Sequence, residues 1–283
     1  MIRDDRQHVS TPAATVALGD RRVRRIGLGA MHLSGDTPWE APPDRAKAIA
    51  LLRRAVAAGV ELIDTADSYG LGHNEELIAE ALHPYPRELL VATKAGQSRP
   101  GGAWVPLGRP EYLKQQVELS LRRLRVDRLD LFQLHRIDPK VPFEDQIGAL
   151  NELAEQGKVA MVGLSQVTVE QLAAARELVD VVSVQNKYSI SDRRDDAVVA
   201  ACEAASIAFL PWRPLAIAPG DAPRLDAVAA DLGATRHEVA LAWLLHRSPA
   251  VLPIPGTVDP GHLLANVRSA AITLTADHLR SLA

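Results

Sequence analysis

Apolar positions along the chain follow two alternating rhythms. Short runs of β-branched or apolar residues recur: Ile26-Leu28, Glu61-Thr65, Leu89-Thr93, Leu129-Leu134, Ala160-Leu164, Val181-Gln185, Ala208-Pro211 and Val251-Ile254. Most are apolar at consecutive positions, as strands buried on both faces should be. Between them lie stretches with helical spacing. Asp44 is placed to cap a helix over Arg45-Ala58, with Gly59 just past its end. The segment Arg109-Leu124 repeats Leu113, Val117, Leu121 and Leu124 on one face. Further helices are predicted over Phe143-Gln156, Val169-Leu178, Asp195-Ala205 and His237-His246. Ahead of them, Gly19-Asp20 separates Val16-Ala17-Leu18 from Val23-Arg24-Arg25-Ile26 and predicts a hairpin turn.

Eight strand–helix alternations without a composition break predict an α/β fold, a (β/α)8 TIM barrel, spending residues 1–283 on one domain. Residues 1–14 are expected to be a loosely ordered tail. A doubly wound sheet is the alternative. It is disfavoured because Gly27-Leu28-Gly29 lacks the third glycine of a dinucleotide fingerprint and leads into a polar loop.

Composition narrows the function. The formal net charge is -3, which argues against a nucleic-acid partner. The single cysteine, Cys202, excludes a disulfide framework and a cysteine-rich zinc site, and is expected to be a small core residue. The histidines show no metal-ligand spacing, so no metal is expected. No apolar run reaches membrane-spanning length and the charged start, Met1 to Gln7, is not a signal peptide, so a cytoplasmic protein without a membrane partner is expected. Oligomeric state is not legible; a monomer is compatible with the sequence.

In a barrel, chemistry gathers where strands end. The second strand runs into Asp64-Thr65-Ala66-Asp67-Ser68-Tyr69-Gly70, the third into Lys94, the fourth into His135-Arg136, and the fifth into Ser165-Gln166. The sixth ends at Gln185-Asn186, the seventh at Trp212 and the eighth at Gly256-Thr257. Singly, each has a structural explanation: a helix cap, a solvated lysine, a hydrogen-bonded histidine. Together they bring an acid, a phenol, an ammonium and an imidazole to one mouth. A phenol's pKa near 10 suits proton donation poorly at neutral pH, and a nearby ammonium is expected to lower it. A carboxylate would hold the ammonium, and a histidine would orient the substrate oxygen. Such a set suits protonation of a carbonyl oxygen while hydride attacks carbon. No side chain supplies hydride, so a nicotinamide cofactor is implied.

Gly59-Val60-Glu61-Leu62-Ile63-Asp64-Thr65-Ala66-Asp67-Ser68-Tyr69-Gly70 resembles the signature of the aldo-keto reductases. The resemblance continues through Thr93-Lys94, Gln133-Leu134-His135, Val162-Gly163-Leu164-Ser165, Val184-Gln185-Asn186 and Ile254-Pro255-Gly256-Thr257, spanning Val16 to Leu274. It implies a barrel whose bottom is closed by the N-terminal hairpin, and an enzyme that reduces an aldehyde or ketone with NADPH, or less often NADH. Asp64, Tyr69, Lys94 and His135 would be the catalytic tetrad, with Tyr69 the general acid. Gly29, Met31, Asp64, Ser165, Gln166, Gln185, Trp212, Arg213, Pro214, Leu215, Gly256, Thr257, His262 and Asn266 are the cofactor-binding candidates. Among these, Ser165, Gln166 and Gln185 would hold the nicotinamide amide and Trp212 would stack on its ring. Where many members carry lysine, arginine and glutamate, this chain has Gly256, His262 and Ala265. The margin for NADPH over NADH should therefore be narrow, unless Arg213 supplies the missing charge. Gly256-Thr257 would offer a phosphate backbone N–H groups and a hydroxyl near a helix start.

The substrate pocket is expected from Met31, His32, Trp39, Trp104 and Arg136, with the Gly96-Gly108 loop irregular and mobile. The chain ends soon after its last helix, which implies short C-terminal loops and an open pocket. Within the family it resembles small bacterial members that reduce pyridoxal to pyridoxine. A broad carbonyl reductase is an alternative. Two other readings are a cofactor-sensing regulatory subunit and a Schiff-base lyase at Lys94. The apparently complete tetrad argues against the first. Asp64 argues against the second, because it would keep the lysine charged.

Overall fold

The computed structural model describes residues 14–35, 39 and 44–283, so most of the expected N-terminal tail lies outside the described residues. Strands β1 (Thr15–Leu18) and β2 (Arg21–Arg24) pair antiparallel across Gly19-Asp20, the predicted hairpin. The chain then alternates: β3 (Leu28–Gly29), α1 (Arg45–Ala57), β4 (Leu62–Asp64), α2 (His73–Leu82) and β5 (Leu90–Ala95). A small hairpin follows, β6 (Gln97–Ser98) with β7 (Val105–Pro106), and then α3 (Pro110–Leu124). The pattern resumes with β8 (Leu129–Leu134), α4 (Phe143–Glu155), β9 (Val159–Ser165), α5 (Val169–Arg176), β10 (Val181–Gln185), α6 (Asp196–Ala204) and β11 (Ala208–Phe209). Helices α7 (Ala222–Leu232), α8 (Arg236–Arg247), α9 (Pro260–Arg268) and α10 (Ala276–Ser281) complete the described chain. Asp44 caps α1 through the Lys47 amide, as its position suggested. Cys202 is buried in α6.

The sheet order is β11-β10-β9-β8-β5-β4-β3, all parallel, and it curls into a (β/α)8 barrel. The closing stave departs from prediction. Val251-Ile254 is not a regular strand but joins both edges through single bridges, Phe209 to Val251 and Gly29 to Gly256. Leu252 N–H donates to Phe209 O at 2.8 Å, and Gly27 N–H donates to Pro253 O at 2.9 Å. Pro253 and Pro255 have no N–H, so half of a regular ladder cannot form there. Buried Arg25 reinforces the seam by donating to the carbonyls of Leu245 (2.9 Å) and Val251 (3.0 Å).

Side chains alternate along each strand, and the barrel interior changes character from bottom to top. Leu62, Leu90, Ala92, Leu131, Met161, Ala208, Leu210, Leu252 and Ile254 form an apolar plug, sealed below by Val16, Leu18 and Val23 of the hairpin. The alternate positions, among them Ile63, Val91, Phe132, Val162, Val184 and Phe209, pack outward against the helices. One step of two residues above the plug stand Asp64, Lys94, Gln133, Gly163 and Ser183; Lys94 pairs with Gln133, Gln133 with Gly163 and Gly163 with Ser183 in the strand register. This polar layer is the floor of the site.

Candidate active site

The floor is held by an ion pair. Lys94, at the end of β5, is fully buried; its Nζ donates to Asp64 Oδ1 at 2.7 Å, Asp64 Oδ2 at 2.8 Å and Thr65 O at 2.8 Å. Three acceptors match the three N–H bonds of an ammonium. Burial pulls Lys94 below its ordinary pKa, and Asp64 opposes that pull. An amine so fully engaged has no free lone pair for a Schiff base. Gln185 Nε2 donates to Asp64 Oδ1 at 2.8 Å and to Gln133 Oε1 at 3.0 Å, and Gln133 Nε2 donates to Ser183 Oγ at 3.0 Å. Gly163 makes room for this chain: a Cβ there would lie 2.2 Å from Ser183 Oγ and 2.9 Å from Gln133 Cγ.

Tyr69 lies in a 3-10 turn directly after β4, and its ring is 5.4 Å from Lys94 Nζ. The expectation of a lowered phenol pKa does not hold. Burial, with the Asp64 carboxylate adding, pushes Tyr69 well above its ordinary value, while Arg136 and Arg99 oppose. The Lys94 charge is balanced by Asp64, so it does little for the phenol. Tyr69 is therefore a neutral O–H donor. His135 stands beside it, ring centroids 6.0 Å apart, with Ser68 Oγ 3.4 Å from Nδ1. Burial pulls His135 well below its ordinary pKa, and the Lys94, Arg136 and Arg99 charges act in the same sense. It is a neutral imidazole.

These groups open into a cavity of about 1130 Å³ at the C-terminal end of the strands. Of the predicted cofactor candidates, Gly29, Met31, Asp64, Ser165, Gln185, Trp212, Arg213, Pro214, Leu215 and Gly256 line it; so do all four substrate candidates, His32, Trp39, Trp104 and Arg136. Lys94, within the floor, does not itself reach the cavity wall. Gln166, Thr257, His262 and Asn266 are not brought to the wall. Gln166, at φ +54°, turns its Oε1 to the Lys187 amide (2.9 Å) and to Trp212 Nε1 (2.6 Å), so it holds the tryptophan from behind. Asn266 is buried and His262 is exposed on α9. The expected phosphate site at the start of α9 is already capped. Asp259 Oδ1 accepts the His262 amide at 2.8 Å, and Thr257 Oγ1 accepts the Asp259 amide at 3.0 Å. A carboxylate there disfavours a second anion.

The Gly96-Gly108 loop is the β6–β7 hairpin, and it carries a residue the sequence reading missed. Arg99 lies flat over Trp104, Cζ 3.6 Å from the ring centroid, and 5.6 Å from Trp39. It also donates to Gly102 O at 2.9 Å and to Ser68 O at 3.4 Å, tying the hairpin to the turn that carries Tyr69. Trp104 thereby stands edge-on to Tyr69 at 6.3 Å and to His135 at 6.0 Å, forming the pocket wall expected of it. A lone cation in a glycine-rich loop after the third barrel strand was the available signal. Asp67 was missed too. It is buried, its Oδ1 has no hydrogen-bond partner among the described residues, and Tyr112 O–H reaches Oδ2 at 3.5 Å. Burial, with Glu75 adding, holds its carboxyl well above the usual range.

Among the described residues no helix is long and apolar enough to cross a membrane, and no group of three or more His, Cys, Asp or Glu is placed to hold a metal ion. A parallel barrel with a deep polar floor, a neutral phenol and imidazole side by side, and aromatic walls defines an enzyme for small molecules, with its chemistry at the strand ends.

Comparison with known proteins narrows that class. The sequence profile of the aldo/keto reductase family matches residues 25–218 and 220–283. An uncharacterised oxidoreductase of Schizosaccharomyces pombe is 45% identical over 271 residues, covering 95% of this chain and 88% of that protein. Pyridoxine 4-dehydrogenase of Escherichia coli is 42% identical over 276 residues, covering 95% of this chain and 96% of that protein. Among solved structures, an aldo-keto reductase of Klebsiella pneumoniae in complex with NADPH superposes with a TM-score of 0.83 at 25% identity, covering 95% of this chain and 93% of that one. The chain belongs to the aldo/keto reductase family, and is by class an NAD(P)H-dependent oxidoreductase.

Proposed function

We propose that this protein reduces an aldehyde or ketone to an alcohol with NADPH, NADH being the weaker alternative, and that Tyr69 is the proton donor. The observation that carries the reading is the pairing of two neutral donors, Tyr69 and His135, above the Lys94–Asp64 pair at the base of one cavity. The residues present fit a dinucleotide. Gly29 and Gly256 form a stretch of wall without side chains. A Cβ on Gly256 would stand 2.9 Å from His32 Cδ2 and 3.1 Å from Gly29 O, so the glycine lets the wall close up here. Trp212 offers a ring face. Gln185 Oε1 accepts no bond from any described residue, and Ser165 Oγ, which donates to Gln185 O at 2.9 Å, lines the same wall. Together they suit an amide.

NADPH, when bound, supplies the hydride that adds to the carbonyl carbon. The chain supplies the rest. With the Ser68 hydroxyl donating to Nδ1, the His135 proton sits on Nε2, a tautomer assigned from that hydrogen bond. This N–H is placed to donate to the carbonyl oxygen, orienting and polarising it. Tyr69 gives its proton to the same oxygen. An alkoxide is more basic than a phenolate, so the transfer runs downhill even from a phenol whose pKa burial has raised. The phenolate left behind sits in the field of the Arg136 and Arg99 guanidinium groups, the two charges that oppose the upward pull of burial. Trp104 and the hairpin that carries it stand over this corner, where Tyr69 and His135 are both buried.

Pyridoxal is the substrate we place first, supported by the Escherichia coli relative. The test follows NADPH oxidation across a panel of aldehydes and ketones that includes pyridoxal. Measurable NADPH oxidation with pyridoxal is expected. Tight NADPH binding without oxidation by any carbonyl would replace this reading with a cofactor-sensing one.

A further inference from the structure

We infer that Arg136 reads an anionic oxygen group, a carboxylate or a phosphate, on the carbonyl substrate, so that the preferred substrates are negatively charged aldehydes. The inference rests on the carbonyl-reductase reading above and adds the class of substrate.

Arg136 follows His135 directly in the chain and lines the cavity. One edge of its guanidinium is pinned: Nη1 donates to His135 O at 2.6 Å and to Ser165 Oγ at 3.1 Å. The other donors, Nε and Nη2, have no partner among the described residues, and no carboxylate among them pairs with Arg136. Arg136 is half-buried, and burial pulls its pKa below the ordinary value, with Tyr69 opposing. A partly desolvated guanidinium is costly when unpaired and strongly favourable when a carboxylate or phosphate completes the fork. Its Cζ lies 5.9 Å from the Trp212 ring, a contact that aims the group without neutralising it.

The surroundings have the same sign. Among the described residues lining the cavity, Asp64 is the one carboxylate, and both its oxygens are taken by Lys94. Arg99 and Arg213 line the cavity with Arg136. A concave wall carrying one sign of charge concentrates ligands of the other sign. Arg136 also lies close enough to act on Tyr69, His135 and Lys94 electrostatically. An anion on Arg136 would therefore sit within one small molecule's length of the proton donor, and the aromatic edges of Trp104 and Trp39 suit a flat body between the two.

Two matched pairs of probes test this, one for each source of the anion: 4-formylbenzoate against its methyl ester, and pyridoxal 5′-phosphate against pyridoxal. With NADPH saturating, kcat/KM is expected to favour the charged member of at least one pair by about 10- to 100-fold, the range of a hydrogen bond to a charged group. The preference should shrink with added salt. Arg136→Gln should collapse the ratio to near one, and Arg136→Lys should keep part of it. Binding of 4-(hydroxymethyl)benzoate and of its methyl ester, read by tryptophan fluorescence, should show the same preference without turnover. Equal rates and equal binding within both pairs would overturn the inference while leaving the carbonyl-reductase reading intact. So would an Arg136→Gln variant that loses NADPH affinity and slows all four aldehydes by one factor, since that assigns Arg136 to the cofactor. Absence of turnover with every aldehyde would defeat the carbonyl-reductase reading instead, and the binding ratio would still decide the anion preference.

Discussion

Asp64→Asn removes one charge and almost no volume, so it isolates what the buried pair does. In the wild type, Asp64 Oδ1 accepts from Lys94 at 2.7 Å and from Gln185 at 2.8 Å, while Oδ2 accepts from Lys94 at 2.8 Å. An asparagine has only one oxygen. Whichever way it is turned, its NH2 faces Lys94 Nζ, and in one orientation it faces Gln185 Nε2 as well. Lys94, with no exposed surface, must then either keep its charge beside a donor or lose its proton. Breaking a buried pair from one side costs about 3–5 kcal/mol. At roughly 2–4 °C per kcal/mol for a chain of this order, the melting temperature should fall by about 6–20 °C. Lys94→Met should cost a similar amount, because Asp64 is left with Gln185 alone. The double variant Asp64→Asn with Lys94→Met removes both charges and should be markedly more stable than the sum of single losses predicts. Urea unfolding followed by tryptophan fluorescence, at constant m, supplies the cycle. Additivity within about 0.5 kcal/mol would refute the reasoning, because it would mean the two groups do not depend on each other.

Two further changes probe the floor and its surroundings. Asp67→Asn should stabilise the protein, with a gain that grows as pH rises. The folded carboxyl holds its proton above the pH at which the unfolded one loses it, so wild-type stability falls through that window and the amide's does not. Melting temperatures at pH 4 and pH 8 check this, and a gain confined to pH 4 would contradict it. Gly163→Ala should cost about 1–3 kcal/mol through overpacking and lower activity as well. Its Cβ would displace Ser183 Oγ from 2.2 Å away and break the Gln133 bond that holds Gln185 on Asp64. A variant with wild-type melting temperature and wild-type activity would show that this polar layer has slack.

The strand ends were readable because barrel strands step by two. Leu62 to Asp64, Ala92 to Lys94 and Leu131 to Gln133 each pass from apolar plug to polar layer in one alternation, and the polar residues mark the rim. The partners within the rim were not readable. That Gln133 meets Ser183 across Gly163 depends on strand register, which no single strand encodes. That Arg99 lies on Trp104 depends on a hairpin of two residue pairs, too short to leave a periodic trace. The closing stave looked like a strand because its apolar residues have strand spacing, yet Pro253 and Pro255 remove the donors a ladder requires. The α9 cap was present in the sequence: Asp259 three residues before His262 is an N-cap spacing, and it occupies the position proposed for a phosphate. The Tyr69 pKa was misjudged for a different reason. A neighbouring lysine is visible in sequence, but burial, and the carboxylate that balances the lysine, are properties of the folded site.

The central claim is that Tyr69 delivers the proton. Tyr69→Phe keeps the ring between Trp104 and His135 and removes only the O–H. NADPH affinity measured by fluorescence titration should persist. The single-turnover rate of NADPH oxidation with the best aldehyde found should fall by about 10²- to 10⁴-fold, the usual contribution of a positioned acid. A phenylalanine variant that turns over within a few-fold of the wild type, with its NADPH affinity intact, would mean that another group protonates the oxygen.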